Sequence, residues 1–148
     1  MKILNNKGLS LIEAIASVVI VSFVMISAFA ILVNLRNQTL ASQEKIQAIE
    51  AGERIRDNIY NNTNYNDLLS WTSSGTRNIT KDNCNVENPP FSCNVIVVDI
   101  LGVEFDMPYT ITFYKPTTED IQYQIVNFKI QITYYATRTF ELTGIVYE

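Results

Sequence analysis

The hydrophobic and polar positions of this chain change rhythm twice. Residues 14–33, AIASVVIVSFVMISAFAILV, are an unbroken apolar run in which Ser17, Ser22 and Ser27 are the only polar side chains. As a helix rising about 1.5 Å per residue, the run spans the ~30 Å hydrocarbon core of a bilayer. A helix satisfies serine hydroxyls on its own carbonyls. Beyond the run the chain stays rich in helix formers but turns amphipathic. Leu35, Leu40, Ile46, Ile49, Ile55 and Ile59 fall on one stripe, with Glu44, Lys45, Glu53 and Arg54 off it. Gly52 is a weak point, costing about 1 kcal/mol against alanine. Asn61-Asn62-Thr63-Asn64 reads as the stop. The pattern predicts one helix over residues 10–60, its first half in lipid or a fibre and its second half against a sheet.

Residues 65–87 are polar and mixed, with a short helical turn expected over 67–71 and a turn signal at Ser73-Ser74-Gly75. Trp71 is expected to anchor this segment on the sheet. After Cys93 the period becomes two. Residues 94–101 (NVIVVDIL) are a β-branched run. Tyr109, Ile111 and Phe113 alternate with Thr110, Thr112 and Tyr114. Phe128, Ile130, Ile132 and Tyr134 alternate with Asn127, Lys129, Gln131 and Thr133, and Phe140 and Leu142 with Glu141 and Thr143. Gly102, Pro108 and residues 116–120 (PTTED) supply the breaks. The expectation is an α+β fold: a long N-terminal helix, transmembrane then amphipathic, on a C-terminal antiparallel meander of about four strands, namely 94–101, 107–115, 121–135 and 139–147.

Composition narrows the chemistry. A chain of 148 residues suits one domain plus an anchor. The net charge is −4, and nucleic-acid binding rests on Lys and Arg neutralising phosphate, so direct nucleic-acid binding is not expected. There is no histidine, which removes the commonest general base and metal ligand. No Gly-rich phosphate loop, G-x-S-x-G or metal-spaced cysteine cluster appears. No catalytic residue, metal or cofactor is expected, and the chain does not read as an enzyme. Asp99, Glu104 and Asp106 form an acidic group read as a solvated loop rather than a calcium site. Cys84 and Cys93 flank the loop-forming NVENPPFS, and in an extracytoplasmic body they are expected to form a disulfide.

The start of the chain carries the sharpest signal. Lys2 and Lys7 precede Gly8, Glu13 interrupts the beginning of the apolar segment, and no further Asp, Glu, Lys or Arg occurs until Arg36. The lysines before the span place the N-terminus in the cytoplasm and the body outside. A carboxylate at the edge of a bilayer core is costly and needs a partner or a purpose. Ser10-Leu11-Ile12-Glu13 is also a capping box, S-x-x-E, in which each side chain satisfies a backbone N–H. A conventional secretory signal has a shorter apolar stretch followed by a small-residue cleavage site; here the run is longer, a carboxylate interrupts its start, and no clear A-x-A site ends it before the polar helix begins.

The layout over residues 7–36 resembles the class III signal of the type IV pilin family, pilins and pseudopilins. The resemblance implies a leader, residues 1–8, cut between Gly8 and Leu9 by a prepilin peptidase. It implies N-methylation of Leu9, and assembly through Glu13, whose carboxylate would pair with the new N-terminal amine of a neighbouring subunit. It further implies a transmembrane and filament-core segment over 9–36 and an extracytoplasmic pilin-like domain over 37–148. Partners would be other pilin or pseudopilin subunits, the assembly platform in the inner or cytoplasmic membrane, and membrane lipid before assembly. The family most often has Phe or Met where Leu9 stands, and many major pilins carry Gly or Pro inside the helix. This chain has neither between Leu9 and Ala51, which fits a minor pilin or pseudopilin of pilus, secretion or DNA-uptake machinery. The alternative is an uncleaved single-pass anchor displaying a β domain that binds a partner.

Overall fold

The computed structural model describes residues 10–100 and 102–148. The chain divides into two compact units, Met1–Leu40 and Ala41–Glu148. The long helix α1 (Leu11–Asn62) gives residues 11–40 to the first unit and 41–62 to the second. No Pro interrupts it, and it ends where Asn64 caps the next helix, α2 (Tyr65–Thr72), by accepting the N–H of Asn66 at 2.9 Å. That end agrees with the asparagine stop read from the sequence.

The second unit is an α+β body in which residues 41–62 of α1 pack on a four-stranded antiparallel sheet. Its strands are β1 (Arg77–Ile79), β4 (Tyr109–Phe113), β5 (Ile125–Tyr134) and β6 (Arg138–Tyr147), in that order across the sheet. A separate two-stranded ladder joins β2 (Asp99–Ile100) to β3 (Val103–Glu104). Between these lie the short helices α3 (Cys84–Glu87) and α4 (Thr118–Gln122) and a 3-10 turn at Cys93–Ile96. Tyr109, Ile111 and Phe113 point into the core together with Val126, Phe128, Ile130, Ile132 and Tyr134, as the alternation predicts.

Two expectations are corrected. The first concerns the membership of the sheet. Residues 94–100 do not form one of its strands, the last position of the expected run, 101, lying outside the described residues; the place beside β4 belongs to Arg77–Ile79, paired Arg77 to Phe113 and Ile79 to Ile111. Ile96, Val98 and Ile100 still turn inward alternately. A period of two reports which side chains bury, not which backbone pairs. Here the 3-10 turn and the tie between Cys93 and Cys84 direct the run into its own ladder. The stretch 121–135 likewise begins as α4, whose Thr117 and Asp120 form a capping box, before β5 starts.

The second correction concerns the helix stripe. Leu35, Leu40 and Ile46 are exposed, and the buried positions of α1 are Ala41, Ala48, Ala51, Gly52, Ile55 and Ile59. Small residues let the helix come close to the sheet. A Cβ at Gly52 would lie 3.1 Å from Phe140 Cε1 and 3.5 Å from Ile132 Cδ1. Gly52 is therefore a close-approach position rather than a weak point.

The turn between β5 and β6 is strained. Tyr135 and Ala136 both hold positive φ, 35° and 65°, without being glycine. Gly144 of β6 stands opposite Phe128, whose ring occupies the volume that a side chain at 144 would take.

Candidate functional site

The candidate site is the start of α1. Gly8 and Leu9, the expected cleavage and methylation positions, lie outside the described residues, as does the rest of the leader. Ser10 N–H donates to Glu13 Oε2 at 2.9 Å, and Glu13 N–H donates to Ser10 Oγ at 3.3 Å. This reciprocal pair is the capping box read from the sequence, and it fixes where the helix begins. It engages one carboxylate oxygen; Glu13 Oε1 has no hydrogen-bond partner among the described residues. Both Ser10 and Glu13 are exposed in the isolated chain.

Beyond Glu13 every hydroxyl in the apolar run turns inward on its own helix. Ser17 Oγ donates to Ala14 O, Ser22 Oγ to Val18 O and Ser27 Oγ to Phe23 O, each at 2.8 Å. The polar groups of the run are thus satisfied without water, which is the condition for sitting in hydrocarbon. Every described residue from 10 to 40 is exposed, Phe23 and Phe29 among them. The segment is long and apolar enough to cross a membrane and lies near the N-terminus. An unburied apolar surface of this extent needs lipid or other protein against it.

In the second unit, Cys84 at the start of α3 and Cys93 in the 3-10 turn form a disulfide, with Cα atoms 5.9 Å apart. Cys84 is fully buried. Trp71 of α2 meets the same region. Its Nε1–H donates to Glu87 O at 3.1 Å, and its ring stands edge-on to Phe113, centroids 5.6 Å apart. It anchors the segment onto the sheet, as its position in the sequence predicts. Arg77 lies over the indole ring and reaches Glu87 at 3.4 Å.

The acidic group is dispersed among partners. Asp99 and Glu104 face each other across the β2–β3 ladder, Lys81 pairs with Glu104, and Arg54 donates to the backbone carbonyl of Asp99 at 2.9 Å. Glu104 holds the Lys81 ammonium above its usual pKa. Among the described residues no three of His, Cys, Asp or Glu gather as a metal-holding set. Two open grooves adjoin at Phe105, Asp106, Met107 and Pro108, with volumes of about 560 and 400 Å³. The contact between Glu44 and the β5–β6 turn, at one end of the larger groove, is the polar feature that sequence reading missed. Glu44 is on the polar side of the predicted stripe, and nothing local to it signals a partner 91 positions away. The chain matches no protein-family model, no curated protein and no solved structure.

Proposed function

We propose that this chain is a structural subunit of a type IV pilus-like filament, a minor pilin or pseudopilin of pilus, secretion or DNA-uptake machinery. The observation that carries the reading is the order Lys7-Gly8-Leu9 followed by Glu13 and then no charge until Arg36. Support comes from the apolar stretch of α1, whose hydroxyls are internally satisfied and whose side chains are all exposed. The α+β body with its disulfide suits an extracytoplasmic setting.

In this reading the chain waits in the cytoplasmic membrane with its N-terminus inside. A prepilin peptidase cuts after Gly8, and Leu9 is methylated. The assembly platform then draws the helix out of lipid into contact with other subunits. Heterologous packing of identical or related helices builds an open helical polymer. Glu13 steers the step. Either charge left alone in an apolar interior is strongly penalised, whereas the pair of carboxylate and neighbouring amine is tolerated. The Ser10 cap is compatible with this role because it engages Oε2, and Oε1 has no partner among the described residues.

Mass spectrometry of protein from its native membrane tests the reading. N-methyl-Leu9 as the first residue supports it, and an intact Met1 refutes it. Glu13→Ala is expected to leave processing intact and to lower incorporation into filaments at least tenfold. Normal incorporation removes Glu13 from the mechanism. Gly8→Leu is expected to block cleavage. A second reading, an uncleaved anchor bearing a binding domain, is favoured by one observation: the Ser10–Glu13 cap already gives the glutamate a local structural role. The same mass measurement separates the two.

A further inference from the structure

The sheet has two unequal edges. β1 offers three residues at one side and β6 ten at the other. Among the described residues no strand lies beyond β6. Exposed edges are usually blunted by proline, a bulge or inward-pointing lysine. β6 has none of these: it contains no proline and pairs with β5 one for one from Tyr134–Arg138 to Ile125–Tyr147. Its free N–H and C=O groups bond water in the single copy and form a template for another extended strand.

We propose that β6 pairs antiparallel with β6 of a second copy of this chain, around a two-fold axis at Thr143. Three observations select the copy and the register. The first is length. A ladder from β6 to β1 of another copy would be limited to three residues, whereas β6 with itself uses the whole edge. The second is the alternation of faces. A two-fold axis normal to the sheet keeps both core faces on one side, so even-numbered residues meet even and odd meet odd. The third is charge. With the axis at Thr143, Arg138 of each copy stands opposite Glu148 of the other, twice by symmetry. Neither residue has an ion-pair partner among the described residues; Arg138 lies over its own Tyr135 ring, and Glu148 accepts from Gln124 Nε2 at 2.6 Å. Glu141 then faces Ile145, so no like charges oppose.

The same register joins the apolar faces. Phe140 meets Val146, and Leu142 meets Gly144, where the Phe128 ring lies in the place of a side chain. Phe140 and Leu142 are only half-buried in the single copy. The pairing also has a direction. Residues 41–62 of α1 run in the same sense as β6: Glu44 lies beside Tyr135, Gly52 beside Phe140 and Tyr60 beside Tyr147. An antiparallel ladder therefore sets those stretches of the two copies in opposite directions. In a polar filament, whose subunits all point one way, such a ladder would join copies from opposed filaments rather than neighbours within one. The inference does not depend on the filament reading.

Cysteine cross-linking of the full chain in detergent tests it. Thr143→Cys is expected to give a covalent dimer on mild oxidation, because its Cβ lies ~5 Å from its own symmetry mate. Glu141→Cys alone is expected to stay monomeric, its mate being about four residues or ~14 Å along the ladder. A mixture of Glu141→Cys and Ile145→Cys chains is expected to cross-link. Arg138→Glu in the Thr143→Cys background is expected to reduce dimer on the order of fivefold to tenfold, and Arg138→Glu with Glu148→Arg to restore it. All five positions are exposed, so the variants fold, which circular dichroism checks. Monomeric Thr143→Cys, cross-linking of Glu141→Cys by itself, or no rescue by the charge swap overturns the proposal.

Discussion

Glu44 Oε2 accepts the backbone N–H of Tyr135 at 2.6 Å, across 91 positions of sequence. The bond joins the second part of α1 to a hairpin turn in which two consecutive non-glycine residues, Tyr135 and Ala136, hold positive φ. Left-handed φ costs an L-residue about 1–2 kcal/mol, and a hydrogen bond to a charged acceptor returns about 1.5–3 kcal/mol. The helix thus holds the turn in place. Glu44→Ala is expected to destabilise the body by about 1–2 kcal/mol, and Ala136→Gly to stabilise it by about 1 kcal/mol. Urea unfolding followed through Trp71, the single tryptophan, measures both. A neutral Glu44→Ala would show that the bond does not hold the turn.

The two buried glycines are expected to respond differently. At Gly144 a methyl group would fall 2.3–2.8 Å from the Phe128 ring, which is itself buried. Gly144→Ala is expected to cost about 2–3 kcal/mol through overpacking. At Gly52 the nearest atom is the edge of Phe140, at 3.1 Å, on a half-buried residue with room to shift. Gly52→Ala is expected to lie within about 1 kcal/mol of wild type, strain offsetting helix propensity. Gly52→Leu is expected to cost about 3 kcal/mol. Thermal melts of the three variants check the order.

Reduction should weaken the second unit. The Cys84–Cys93 bond closes a loop with a sequence separation of nine, for which chain entropy gives about 2–3 kcal/mol. Reduced protein, or Cys93→Ala, is expected to unfold at lower urea by that margin. The near-ultraviolet signal of Trp71 should move with it, because its Nε1–H bonds to Glu87 in the helix that Cys84 begins. An unchanged midpoint would show that the reduced loop keeps its conformation.

Alkaline pH is expected to act through Tyr109. Burial, then the nearby Glu104 and Asp82 carboxylates, push its hydroxyl up from 10 to about 12. The neutral form donates to Ile96 O at 2.7 Å. A group whose folded pKa is raised keeps its full contribution below the unfolded value and loses it as pH climbs to the folded one. Stability is therefore expected to be flat from this group up to about pH 10 and to fall between 10 and about 12. Tyr109→Phe should remove that part of the slope, as pH-dependent unfolding will show, and its absorbance difference at 295 nm identifies the titration.

How much of this was legible beforehand follows from what each signal encodes. β4, β5 and β6 alternate apolar and polar residues over five to ten positions, enough to state both the strand and its buried face. β1 has three residues, Arg77-Asn78-Ile79, of which only Ile79 is buried, so periodicity had nothing to work on. The helix stripe holds at Ile55 and Ile59 but not at Ile46, because burial follows position on the helix rather than side-chain size. Ala48 and Ala51 are buried, while the larger Ile46 is exposed. The capping box at Ser10–Glu13 and the cysteine pair were readable because their partners are three and nine residues apart. Glu44 and Tyr135 meet only once the sheet exists, which no local pattern contains.

Every described residue from 10 to 40 is exposed, most of them apolar. A surface of that kind has no resting state in bulk water. Handling the intact chain therefore calls for detergent or lipid to shield this stretch.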